Sequence, residues 1–232
     1  MSKPKARTCA RLAMAGMFLS AHSSAHDVIT TPITFSREIS RLVYQRCATC
    51  HRPRGSAFSL LTYEEARPWA KAIKEETLER RMPPWGAVKG FGEFRDDQGL
   101  TQEQLEMIAD WVEGGAPEGD PRHLPKAPEF KPARAAGPAP EGIAVEGALA
   151  LKTAVAVAGV SAQKAAEGAT FMAVAKLPDG TTEPLLWIYD YKPRFDHPYW
   201  FRASLRLPAG TKIEVTPREA GGIALLTRPP KE

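Results

Sequence analysis

Cys47-Ala48-Thr49-Cys50-His51 has the form Cys-x-x-Cys-His. Two thiols three positions apart on one helical turn can each add to a vinyl group of the same porphyrin, giving two thioethers. A histidine next in line then offers a neutral imidazole to the iron. The motif predicts one covalently attached haem, with Cys47 and Cys50 as thioether residues and His51 as proximal axial ligand. Two other chemistries use Cys-x-x-Cys. A redox pair needs a preceding strand and a zinc site needs a second ligand pair, and neither pattern is visible here.

The chain has 232 residues, 43% of them hydrophobic, enough for one or two small domains. Residues 1–25 read as a secretory signal peptide. Lys3, Lys5, Arg7 and Arg11 form a basic start, Leu12 to Leu19 a short apolar core, and Ser23-Ser24-Ala25 a small-residue cleavage site. That apolar run is too short to span a bilayer, and the expected mature chain has no transmembrane helix. Cys9 precedes the apolar core, so a lipoprotein anchor is not expected. A periplasmic or exported location follows.

Loss of the signal's four basic residues leaves 27 Lys and Arg against 27 Asp and Glu. A formally neutral mature chain leaves no nucleic-acid partner expected. The mature chain keeps only Cys47 and Cys50, so no disulfide is expected once haem takes both.

Around the motif the apolar spacing is helical. Residues 35–51 predict a helix with Ser36 as N-cap and Ile39, Leu42, Val43 and Cys47 on one face. Thr62-x-x-Glu65 and Thr101-x-x-Gln104 are capping boxes that open two more helices. The first of these carries the stripe Ala66, Trp69, Ala70, Ile73 and Leu78, with Pro68 as a kink point. The second carries Leu105, Ile108, Trp111 and Val112 and stops at Gly114-Gly115. A unit this small gains apolar volume from a buried porphyrin, which makes the haem a folding element too.

Seven prolines lie between residues 116 and 142, an extended linker composition. Beyond them the period shortens. ALALKTAVAVAGV, ATFMAVAKL, EPLLWIYDY, YWFRASLRL and TKIEV read as strands separated by turn residues, which predicts an antiparallel β-sandwich of about six strands.

The distal side of the iron needs a ligand of its own. Met82 stands in Arg80-Arg81-Met82-Pro83-Pro84-Trp85, where two prolines restrict the backbone and present a thioether before the third helix. Met82 is therefore the candidate distal ligand, with core packing as its ordinary alternative. His/Met ligation closes both axial positions and favours electron transfer over small-molecule activation. Arg80 and Arg81 are candidate propionate partners, Trp85 a candidate porphyrin neighbour, and Phe35, Phe58, Leu60, Trp69 and Trp111 candidate haem walls or ordinary core.

Residues 35–121 resemble the monohaem cytochrome c domain found beside, or fused to, copper type II ascorbate-dependent monooxygenase-like domains of exported bacterial proteins. The resemblance lies in FSREIS, CATCHRP, FSLLTYEEARPWAKAIKE, RRMPPW and LTQEQLEMIADWVEGGAPEGDP. It implies Cys47, Cys50 and His51 as haem-binding residues and Met82 as distal ligand. Residues 176–215 are similar, more weakly, to the second β-sandwich of those monooxygenases. There a His-x-His pair before the Leu-Pro-Asp-Gly turn binds copper. Gln163 and Ala165 stand at the matching positions here, so the resemblance implies a sandwich lacking its copper ligands.

The expected fold class is α+β in two domains, an N-terminal all-α cytochrome c fold and a C-terminal antiparallel β-sandwich. The expected division is a signal peptide at 1–25, a haem domain at 26–121, a Pro-rich linker at 122–142 and the sandwich at 143–232. The expected function is single-electron transfer by an electron carrier, not an enzyme, to a protein redox partner or within a membrane-bound complex, with the sandwich as a docking module. The alternatives are a structural haem subunit and a remnant copper monooxygenase-type enzyme.

Overall fold

The computed structural model describes residues 32–130 and 142–228, and the signal segment and part of the linker lie outside them. The first helical run covers 35–47 as three consecutive pieces, Phe35–Ile39, Ser40–Leu42 and Val43–Cys47. Its two outer pieces are π-helical, with Ile39 N–H reaching the Thr34 carbonyl at 3.2 Å and Ala48 N–H the Val43 carbonyl at 2.9 Å. Such wide turns are frequent at functional sites, and the second one ends at Cys47.

The helix starts at Thr34 and not at Ser36. The Thr34 hydroxyl accepts from Arg37 N–H, and Glu38 accepts from Thr34 N–H at 2.9 Å. The cause is tertiary: the Pro117 and Glu118 carbonyls accept from the N–H groups of Phe35 and Ser36, at 3.0 and 2.8 Å. Two donors that an isolated helix leaves open are thereby satisfied. The 116–119 segment is thus docked on the first helix.

Both expected capping boxes form, at Thr62/Glu65 and Thr101/Gln104. The second helical run covers 63–78 as Tyr63–Ala66, a 3-10 turn at Arg67–Trp69 containing Pro68, and Ala70–Leu78. The third helix is Gln102–Glu113, capped by Gly114. Phe35, Ile39, Val43, Leu60, Ala66, Ala70 and Trp111 make one buried cluster, and Leu42, Leu100, Leu105 and Ile108 a second. An ion pair between Lys74 and Glu113 joins the second and third helices.

The C-terminal part is two four-stranded antiparallel sheets, ordered β1-β8-β3-β6 and β2-β7-β4-β5. The strands are β1 Gly142–Val145, β2 Ala148–Ala150, β3 Val155–Gln163, β4 Phe171–Lys176, β5 Thr182–Ile188, β6 Tyr199–Leu207, β7 Lys212–Thr216 and β8 Gly222–Leu226. Val157, Val160, Ile223 and Leu225 from one sheet and Phe171, Ala173, Leu186, Ile213 and Val215 from the other share one core. Eight strands form where about six were expected. The two extra ones are β1 at the linker's end and β8, whose Gly-Ile-Ala-Leu-Leu run is buried at every residue and so shows no alternation.

The long loop 79–101, between the second and third helices, belongs to the sandwich as much as to the helices. Ala87 bridges Ile188 on β5, and Phe94 bridges Phe201 on β6. Those are edge strands of the two sheets, and the loop covers the backbone groups that such edges leave open. Ala87 and Phe94 are buried in the sandwich core.

Candidate haem site

The first helix delivers the motif, and its last turn runs through it. Cys50 and His51 N–H both donate to the Cys47 carbonyl, at 3.1 and 2.9 Å. Cys47 and Cys50 therefore stand on one turn, as free thiols. The chain then folds back: Ala57 N–H reaches the Cys50 carbonyl at 3.2 Å, and Leu60 N–H the His51 carbonyl at 3.3 Å. Gly55 makes this turn possible, because a Cβ there would lie 2.2 Å from the Cys50 carbonyl oxygen.

His51 is oriented by that fold-back. Its Nδ1 lies 3.0 Å from the Phe58 carbonyl, and its ring meets the Phe58 ring edge-on at 4.9 Å. A carbonyl can only accept, so Nδ1 carries the proton and Nε2 keeps its lone pair for a metal. Phe58 stacks on Trp69 at 4.5 Å, yet these rings are 49% and 46% exposed. Leu78, at the far end of the second helix, is also 46% exposed. Trp69 and Leu78 belong to the expected apolar stripe, yet both remain half-exposed, Trp69 with Phe58 on one of its faces. The other three candidate wall residues, Phe35, Leu60 and Trp111, are packed inside the helical core.

Burial pushes the Cys47 thiol up to about 12, with Cys50 adding to the rise and Arg46 opposing it. A redox Cys-x-x-Cys shifts its nucleophilic thiol in the opposite direction.

Met82 lines a cleft of about 430 Å³ together with Leu78, Pro83, Trp85, Leu100 and Leu105. That volume lies within the range of about 300–1,000 Å³ usual for ligand sites. Leu100 and Leu105 also pack with Leu42 of the first helix, so the cleft adjoins the element that carries the motif. Cys47, Cys50 and His51 themselves do not line it. The other methionines of the described residues lie elsewhere, Met107 packed against the helical clusters and Met172 in β4.

One residue was not singled out from the sequence. Arg46, immediately before Cys47, donates to the Asp97 carbonyl, while its Nε is buried without a partner. Gln98 Oε1 is also buried without a partner, one residue from Gly99 of the cleft. An unpaired buried donor is costly, and a carboxylate would satisfy Arg46. The only sequence signal was adjacency to the motif. Arg81, by contrast, is committed to Glu76 at 2.8 and 2.9 Å and to Glu79, and that bond with Arg81 holds the Glu76 carboxyl below its ordinary range. Arg80 is exposed at the start of the loop, with φ +57.

Two thiols on one turn and an imidazole with Nε2 available are donors that suit a covalently held haem, with half-exposed aromatics beside the imidazole and an orphaned guanidinium nitrogen at Arg46. The Met82 thioether stands apart from them, in a cleft that Thr77, Glu79, Arg80 and Lys89 also line. In the β half, Gln163 is exposed at the end of β3 and Ala165 packs against the sandwich core. Among the described residues no three His, Cys, Asp or Glu side chains gather as a metal-binding group, and no helix is long and apolar enough to cross a membrane. Comparison with known proteins gives no matching family model, no matching curated protein and no matching solved structure.

Proposed function

We propose that this chain is an exported c-type cytochrome with one haem, an electron carrier whose helical half has the all-α cytochrome c fold. The observation that carries the reading is the 3.0 Å contact between His51 Nδ1 and the Phe58 carbonyl, directly after two thiols on the same turn. It is the outer-shell arrangement that orients a metal-binding imidazole and raises its basicity.

In this reading Cys47 and Cys50 would hold the porphyrin, and His51 Nε2 and Met82 Sδ would be the donors to its iron. When bound, the haem supplies a one-electron iron couple. The chain tunes that couple in three ways. Thioether ligation from Met82 favours the reduced state relative to a second imidazole. Phe58, Trp69 and Leu78 provide apolar cover that excludes water. Arg46 Nε offers a buried positive donor to a propionate. A closed coordination sphere suits outer-sphere transfer to a protein redox partner or within a membrane-bound complex. The signal segment supports a periplasmic or exported location, the compartment where such attachment occurs.

The test is expression with the haem-attachment machinery of a bacterial periplasm. The purified chain should stain for haem on a denaturing gel and give a c-type pyridine haemochrome at one haem per chain. The Cys47→Ser, Cys50→Ser double variant should lose its colour on acid-acetone extraction. Colour retained by that variant, or a wild-type chain that takes up no haem, overturns the reading.

A further inference from the structure

The interval from Met82 to Trp85 is held at both ends by groups from different halves of the molecule. Upstream, Met82 N–H donates to the Glu76 carbonyl at 3.0 Å, tying Met82 to the end of the second helix. Pro83 and Pro84 have no N–H, and Trp85 N–H turns back to the Pro83 carbonyl at 2.8 Å. Downstream, the Trp85 carbonyl accepts from the Tyr199 hydroxyl at 2.7 Å. Tyr199 is only 3% exposed, sits on the edge strand β6 and packs edge-on against the Trp85 ring at 5.1 Å. His197 packs tilted against the same indole, with ring centroids 4.8 Å apart.

The grip continues along the loop. Val88 N–H donates to the Trp187 carbonyl on β5 at 2.8 Å, and Tyr189 N–H, just past that strand, to the Gly86 carbonyl at 3.1 Å. Arg95 N–H then donates to the Trp200 carbonyl and Arg202 N–H to the Glu93 carbonyl, each at 2.9 Å, along β6. Phe94 stacks on Phe201 at 5.4 Å. Lys89 and Asp97 close the loop on itself at 2.6 Å, and the Asp97 carbonyl meets Arg46 beside the motif.

From these contacts we infer that the β-sandwich is a clamp for the distal-ligand loop, with Tyr199 as its positioning residue. The inference rests on Met82 being an iron ligand. Three residues span at most about 11 Å, so a carbonyl pinned at Trp85 confines the Met82 sulfur to a small volume. A methionine held in place loses little freedom on ligation, whereas a methionine on a free loop would give up rotamer and backbone freedom to reach the iron. The sandwich thereby has a role that needs no metal of its own.

The experiment uses the full-length haem-loaded protein and follows two readouts. These are the sulfur-to-iron charge-transfer band of the ferric form and the rate of CO binding to the ferrous form. Tyr199→Phe keeps the buried ring and removes the hydroxyl. It should weaken the band and speed CO binding about fivefold, the factor of one net hydrogen bond. Gly86→Ala should act in the same direction. Gly86 has φ +76, and its added Cβ would lie 2.9 Å from the Tyr199 hydroxyl. Val215→Ala, on β7 two strands in from the β5 edge, should lower thermal stability and leave CO binding at the wild-type rate.

Wild-type band and CO rates in both Tyr199→Phe and Gly86→Ala would overturn the clamp, as would equal opening of the iron in Val215→Ala. A wild-type protein without the band, unchanged by Met82→Ala, would instead remove the ligand reading on which the clamp stands.

Discussion

The Phe58 carbonyl lies 3.0 Å from Nδ1 of His51, held there by a turn that begins at the second thiol of the motif. The contact joins two segments with separate local rules, a helix end and an extended return. Gly55 governs it, since any Cβ there collides with the Cys50 carbonyl. Gly55→Ala should open the turn and move Phe58 off His51. The expected outcome is a fall in covalent haem yield and faster exchange of the His51 ligand by imidazole, by about tenfold. Ligand-exchange kinetics on the purified protein check this.

Met82→Ala should leave haem attached through Cys47 and Cys50 and open one axial position. The charge-transfer band should vanish, CO should bind rapidly and the reduction potential should fall. An unchanged band and potential would remove Met82 from the iron.

Arg46→Met keeps the bulk of the side chain and removes the charge beside Cys47. Loss of a buried positive donor disfavours the more negative, reduced centre. The potential should fall by on the order of 50 mV, roughly a tenfold change in the one-electron equilibrium. Redox titration of the two proteins gives the comparison.

In haem-free protein the Cys47 thiol, raised by burial to about 12, links stability to pH. The unfolded thiol titrates near its ordinary value of about 8.5. Its folded value is higher, so the stabilising contribution is complete below about pH 8.5 and is lost as pH climbs toward 12. Tyr44, Tyr191 and Tyr199 are also raised, each chiefly by burial, so the alkaline loss has several sources. Thermal melts from pH 7 to pH 11 should fall more steeply in the haem-free wild type than in haem-free Cys47→Ala.

Phe94→Ala removes a buried ring stacked on Phe201 and packed against Tyr199 and Trp85. A loss of about 3–5 kcal/mol is expected for such a truncation. Because the ring sits where loop and sandwich meet, the Met82 signature should weaken together with the sandwich. Denaturant melts followed by β-sheet circular dichroism and by the haem spectrum test whether the two losses coincide.

Much of this was legible locally. Thr62 and Thr101 announce their helices because a capping box is a four-residue device that closes within itself. The stripe through Leu105, Ile108 and Trp111 is periodic and buried as the period predicts. Thr34 took the N-cap role expected of Ser36 because carbonyls of residues 117 and 118, distant in sequence, satisfy the first N–H groups. Trp69 and Leu78 show the complementary limit: helical spacing says which side is apolar, not what covers it.

Spacing over a few residues was enough to expect haem attachment at Cys47, Cys50 and His51, and it accounts for the β-rich character of the second half. Only the tertiary structure decided that the Met82 loop belongs to both halves. The Tyr199–Trp85 and Arg202–Phe94 hydrogen bonds close over 114 and 108 residues, and no local period encodes a partner so far away. Edge strands need cover and a long loop needs anchoring. Folding satisfies both with one set of contacts, which places the sandwich directly behind Met82.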